Sequence, residues 1–62
     1  MNKHLLRTYL MHTEIYAEKL GVRVANLIHG SADPKSVELA LADAYLAKEA
    51  IDNIINTIKE AK

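Results

Sequence analysis

Sixty-two residues form at most one domain, and so short a chain buries too little surface to be robust without disulfides, a metal or association. With no Cys, disulfides, thiolate metal sites and thiol catalysis are excluded together, and eight Lys and Arg balance eight Asp and Glu, so no overall field draws the chain to nucleic acid or anionic lipid. Half the residues are apolar, yet Phe and Trp are missing and only three Tyr are present, which leaves a core of Leu, Ile, Val and Ala and suits helices.

The first predicted helix covers about residues 3–29. Leu6, Thr13, Leu20 and Leu27 recur every seven residues, Leu10, Ala17 and Val24 alternate with them, and Tyr9, Tyr16 and Ile28 flank this seam. Met11, Ile15 and Val22 fall on the far side of the same helix. Gly21 interrupts an otherwise good helical composition, and glycine inside a helix costs about 1 kcal/mol relative to alanine. Ala17, Gly21 and Ala25 recur every four residues, so a continuous helix with a smooth ridge against a neighbouring helix is the favoured reading.

A break at Gly21 is the alternative. The stretch Ala17-Glu18-Lys19-Leu20-Gly21-Val22, with Leu27 six residues after the glycine, resembles the core of DNA-binding helix-turn-helix motifs over about residues 13–30. That resemblance implies a turn at Gly21 and a recognition helix Arg23-Val24-Ala25-Asn26-Leu27-Ile28-His29, from which Arg23, Asn26 and His29 would reach bases or phosphates. It departs from the family's pattern at its end, where a glycine stands in place of the core residue that usually closes the motif. A basic face made of Lys3, Arg7, Lys19 and Arg23 is a second possible route to nucleic acid, opposed in that half only by Glu14 and Glu18.

His29-Gly30-Ser31-Ala32-Asp33-Pro34 divides the chain. Gly30 suits a left-handed residue just past a helix end, Asp33 can cap the next helix, and Pro34 fits a first helical position, where a missing N–H costs nothing. A turn limited to residues 30–33 returns the second helix antiparallel to the first.

The second predicted helix covers about residues 34–61. Val37, Ala44, Ile51 and Ile58 recur every seven residues, and Ala40, Ala47, Ile54 and Ala61 follow each by three, which makes a wholly apolar seam. Its first half is lined with alanine and its second with isoleucine, so the opposing side chains should be large where these are small. Leu39 and Leu46 are expected on the far side of this helix, as Met11, Ile15 and Val22 are on the first, and a two-helix hairpin cannot cover both leftover stripes.

Chemistry-bearing patterns are sparse. His4, His12 and His29 never stand three or four apart, and no Glu is followed three residues later by His, so neither a helical metal site nor a carboxylate-bridged pair of metals is expected. Glu14 with Glu18, and Glu49 with Asp52, read as solvated faces, and two glycines cannot build a phosphate loop. No stretch approaches the roughly 20 apolar residues of a membrane span.

The expectation is a single all-α domain, residues 1–62, folded as an antiparallel helix-turn-helix hairpin (αα-hairpin) and most simply dimerising into a four-helix bundle. Its expected role is that of a non-enzymatic, self-associating protein–protein adaptor or small regulator in the cytoplasm, with no cofactor, metal, catalytic residue or membrane partner. The alternative is a nucleic-acid-binding regulator, either through the helix-turn-helix around Gly21 or as an RNA-binding helical-hairpin dimer, an architecture that plasmid-encoded hairpin proteins of similar length share.

Overall fold

The computed structural model describes residues 1–61, and among these it contains two α-helices, α1 (Lys3–His29) and α2 (Pro34–Glu60). They lie antiparallel in an all-helical hairpin that measures 45 × 14 × 13 Å. At about 1.5 Å per residue, 27 residues give each helix its length of roughly 40 Å.

Each helix starts on a side-chain cap. Asn2 accepts from the Leu5 N–H at 3.0 Å and Asp33 accepts from the Ser36 N–H at 2.8 Å, so one otherwise unpaired donor of each first turn is satisfied. Pro34 opens α2 directly behind its cap, and His29 places a basic ring in the last turn of α1, where the carbonyl ends favour positive charge.

Gly30 corrects one detail of the sequence reading. It ends α1 at φ −119° and ψ −141°, outside the left-handed region, and its N–H donates to the Asn26 carbonyl at 2.8 Å. The position needs glycine because a Cβ there would stand 2.8 Å from that same carbonyl oxygen. Gly21, by contrast, lies within an uninterrupted α1, with no positive φ anywhere among the described residues. The turn that a helix-turn-helix motif requires is absent.

The hairpin seam is assembled from alternating columns. On α2, Ala40, Ala47, Ala50 and Thr57 are buried, with Ser36, Asp43 and Ile54 half-buried along the same line. On α1 the line is Leu6, Tyr9, Thr13, Tyr16, Leu20, Arg23 and Leu27, all half-buried. Arg23 bonds Asp43, so facing positions have residue numbers that add to about 66. By that register Leu27 stands over Ala40, Leu20 over Ala47 and Tyr16 over Ala50, while the smaller Thr13 comes level with Ile54. Large thus meets small along the seam, as the alternation of Ala and Ile along α2 requires. Thr13 and Thr57 satisfy their hydroxyls locally, donating to the carbonyls of Tyr9 and Asn53 at 2.8 Å each.

One column on each helix differs from the sequence expectation. Leu6, Thr13, Leu20 and Leu27, and Ala40, Ala47 and Ile54, do face the seam. Their expected companions Leu10, Ala17 and Val24, and Val37, Ile51 and Ile58, are exposed, and Ala44 is half-buried. The columns one residue earlier take their place, because Tyr9, Tyr16 and Arg23 can spread over the alanines of α2 and Arg23 finds an acid there.

Gly30→Ala is expected to lower stability by about 1–3 kcal/mol, the usual cost of forcing a methyl group into closely packed backbone. A denaturant or thermal midpoint equal to that of the parent would show that the turn can rearrange around a Cβ.

Candidate interaction surface

The exposed columns form one surface. Leu10, Ala17 and Val24 each follow a seam residue of α1 by one position, and Val37, Ala44, Ile51 and Ile58 do the same on α2. One residue rotates a side chain by about 100°, and because the helices run in opposite directions that rotation points to the same side of the hairpin in both. Ile28, Leu41 and Ile55 join this side at helical spacing. The large apolar side chains on it range in exposure from 38 % at Val37 to 69 % at Ile28.

By the same rule Arg7, Glu14 and Lys48, which follow Leu6, Thr13 and Ala47, stand on this side, so the open face is mainly apolar with three charged residues on it. Lys48, between Leu41 and Ile55 in one column, donates to Asp52 at 2.9 Å, and that hydrogen bond, reinforced by the carboxylate's charge, holds the ammonium's proton more tightly than usual. The elongated hairpin as a whole exposes more surface than a compact chain of its size. The hairpin exposes 4750 Å², whereas a compact folded monomer of 6.9 kDa exposes about 4,000 Å², so roughly 750 Å² is left over.

The opposite side of the hairpin is polar. His12 and Tyr16 face each other with ring centroids 6.5 Å apart, the Lys19 ammonium stands 5.9 Å from the Tyr16 ring, and Arg23 Nε donates to Asp43 Oδ2 at 3.2 Å. Between the helices on that side runs a shallow groove of about 270 Å³, lined by Tyr9, His12, Tyr16, Leu46, Glu49, Ala50 and Asn53. Leu39 and Leu46, expected on the far side of α2, belong here instead. They precede the seam alanines Ala40 and Ala47 by one residue and so border the seam, where Leu39 is half-buried. Met11, Ile15 and Val22 remain exposed on the outer side of α1, where Ile15 and Val22 line a depression of about 420 Å³ together with Glu18, Lys19 and Arg23.

The basic residues do not share a face. Lys3 and Arg7 point about 160° around α1 from Lys19 and Arg23, and Arg23 is already paired with Asp43. Asn26 and His29 are exposed near the turn, on a helix that does not break to present them. Among the described residues, no three His, Asp or Glu side chains gather to hold a metal ion, and no helix is long and apolar enough to cross a membrane. No family model, curated protein or solved structure matches the chain.

Two parts of this surface escaped the sequence reading. Leu41 and Ile55 stand four residues after Val37 and Ile51, a spacing that would have found them. The Arg23–Asp43 pair had no such signal, because its partners lie 20 residues apart.

Arg23 is 37 % exposed and Asp43 only 13 %, so the pair is partly screened. A double-mutant cycle with Arg23→Ala and Asp43→Ala should give a coupling of about 0.5–1 kcal/mol that shrinks as salt is added. Additive single effects would show that the pair does not fix the register.

Proposed function

We propose that the chain is a non-enzymatic helical-hairpin module that associates with itself through the open face, most simply as a dimeric four-helix bundle, and serves as a protein–protein adaptor or small regulator. The observation that carries the reading is the mainly apolar side formed by Leu10, Val24 and Ile28 of α1 with Val37, Leu41, Ile51, Ile55 and Ile58 of α2, interrupted by Glu14 and Lys48. The whole hairpin's surplus of roughly 750 Å² is close to the about 800 Å² that each partner contributes to a standard interface. A second copy supplies an apolar surface of the same length. Association then gives the isoleucines the burial that alanines in the hairpin seam cannot provide.

Adaptor function rests on what association leaves outside. Met11, Ile15 and Val22 lie on the outer side of α1, away from the open face, and the charged rim of Glu18, Lys19 and Arg23 around Ile15 and Val22 suits recognition of another protein. The helical scaffold holds these side chains in fixed relation to each other. Among the described residues, no cluster of three His, Asp or Glu competes with that reading.

Mass measurement and thermal unfolding test the association. The thermal midpoint should rise with protein concentration, because folding and self-association are linked. Ile51→Asp should yield a monomer that keeps much of its helicity, since Ile51 is 45 % exposed in the hairpin and is buried only by a second copy. A compact, stable monomer of the parent chain at micromolar concentration overturns the reading. For the adaptor role, a native partner should be retained by the parent and lost on Ile15→Glu, with the dimer intact. Retention by both, or tight binding to a defined nucleic acid that is lost on Arg23→Ala, would replace this role with another.

A further inference from the structure

The charges on the open face constrain how another molecule can lie on it. Glu14 belongs to α1 and Lys48 to α2, and the Arg23–Asp43 bond sets them about one helical turn apart along the hairpin, since Glu14 comes level with Asp52. Lys48 already leans toward that level, because its ammonium donates to Asp52 at 2.9 Å. Glu14 takes part in neither ion pair found among the described residues, Arg23–Asp43 or Lys48–Asp52. The open columns of α2 contain Lys48 and no acid. Arg7, the third charge, stands at the open end of the hairpin.

A two-fold axis can lay one hairpin lengthwise on another, face to face, in two ways. If the second copy is reversed end for end, each α2 lies on the partner's α2, and Lys48 meets a helix whose open columns hold another lysine and no acid, at whatever level the axis crosses. If the axis runs parallel to the helices, both copies point the same way and each α1 lies on the partner's α2. We propose that a second copy of this chain docks in this same-direction arrangement, with Glu14 of each chain paired to the partner's Lys48. The inference rests on the self-association proposed above and adds its orientation.

Symmetry then fixes the register. An axis parallel to the helices permits no shift along them, so residues level with each other across the interface have numbers that add to about 66, as they do inside the hairpin. Leu10 comes level with the partner's Ile55, Val24 with the partner's Leu41, and Ile28 with the partner's Val37, apolar against apolar in each case. Gly21 comes level with the partner's Ala44, and the open space around the place of its absent Cβ leaves room for that helix to approach. The stem of the partner's Lys48 crosses Ala17 and carries the ammonium toward Glu14, while Arg7 lays its stem beside the partner's Ile58 with its head in water. Two such Glu–Lys pairs form per dimer. Each is modest in energy, so apolar burial drives association and the charges select the orientation.

Charge reversal and cysteine pairing test the arrangement. Glu14 and Lys48 are exposed in the hairpin, so Glu14→Lys and Lys48→Glu should each keep their helicity while self-association weakens by roughly tenfold, two attractive pairs having become repulsive. Mixed in equal amounts, the two variants should recover most of that loss, because both contacts of a mixed dimer again join opposite charges. Association of Glu14→Lys equal to that of the parent, or no recovery on mixing, overturns the pairing. The chain has no cysteine of its own, so introduced ones report contacts directly. Ile28→Cys and Val37→Cys proteins, mixed and mildly oxidised, should form a mixed disulfide, whereas Leu10→Cys and Ile28→Cys, roughly 27 Å apart along the bundle in this arrangement, should not. The opposite pattern marks the reversed arrangement and overturns the inference, as does a dimer that forms neither disulfide. If the parent chain has monomeric mass at every concentration, the self-association itself fails and the open face is left to a different protein, an outcome distinct from a dimer with the wrong cross-links.

Discussion

Close packing of α1 against an alanine column governs this structure. Ala40, Ala47 and Ala50 are the only apolar side chains buried to within a few per cent among the described residues, and their small size allows Leu27, Leu20 and Tyr16 to lie across α2. That choice makes the hairpin narrow and its register definite. It also limits what the hairpin can gain, because burying a methyl group contributes far less than burying a leucine or isoleucine side chain, which is worth about 1.5–3 kcal/mol. Many of the large aliphatic residues stand on the open side, while Met11, Ile15 and Val22 stay exposed on the outer side of α1.

Polar groups within the seam reinforce the same geometry. Thr13 and Thr57 return their hydroxyls to carbonyls one turn earlier, so they occupy seam positions without demanding a partner from the other helix. Arg23 behaves differently, since its fork spans the gap to Asp43 and ties one level of α1 to one level of α2. Apolar contacts along a uniform seam tolerate sliding by a turn. A charge pair placed once along it does not, which gives the weak interaction a positional role larger than its energy.

Local signals made the outline readable from sequence. Asp33 and Pro34 announce a helix start by chemistry that depends on neighbouring atoms alone, and both occupy the expected positions. Gly30 also marks the end of α1, although through the nearness of the Asn26 carbonyl instead of a positive φ. The seam was half legible for a different reason. Seven-residue periodicity identifies which side of a helix is apolar, and on both helices that side is wide enough to touch two neighbours. It does not say which column faces the other helix of the same chain, so Leu10, Val24, Val37, Ile51 and Ile58 were placed in a seam that Tyr9, Tyr16, Arg23, Ala50 and Thr57 help to form. Leu39 and Leu46 moved with it, because rotating the seam by one column turns a neighbouring position into its border.

Gly21 joins these strands. Inside one hairpin it is a helical glycine with open space beside it, and alanine there would favour the helix by about 1 kcal/mol. The resemblance to a DNA-binding turn offered one reason for a glycine, and the continuous α1 removes it. What remains is a position on the open side of α1, next to Ala17 in the smooth ridge and level with the alanine-lined part of α2. There a missing side chain has an effect only if something approaches from outside the chain. The same face carries most of the exposed large aliphatic side chains, so the glycine and the apolar face share one physical account in the self-association proposed above.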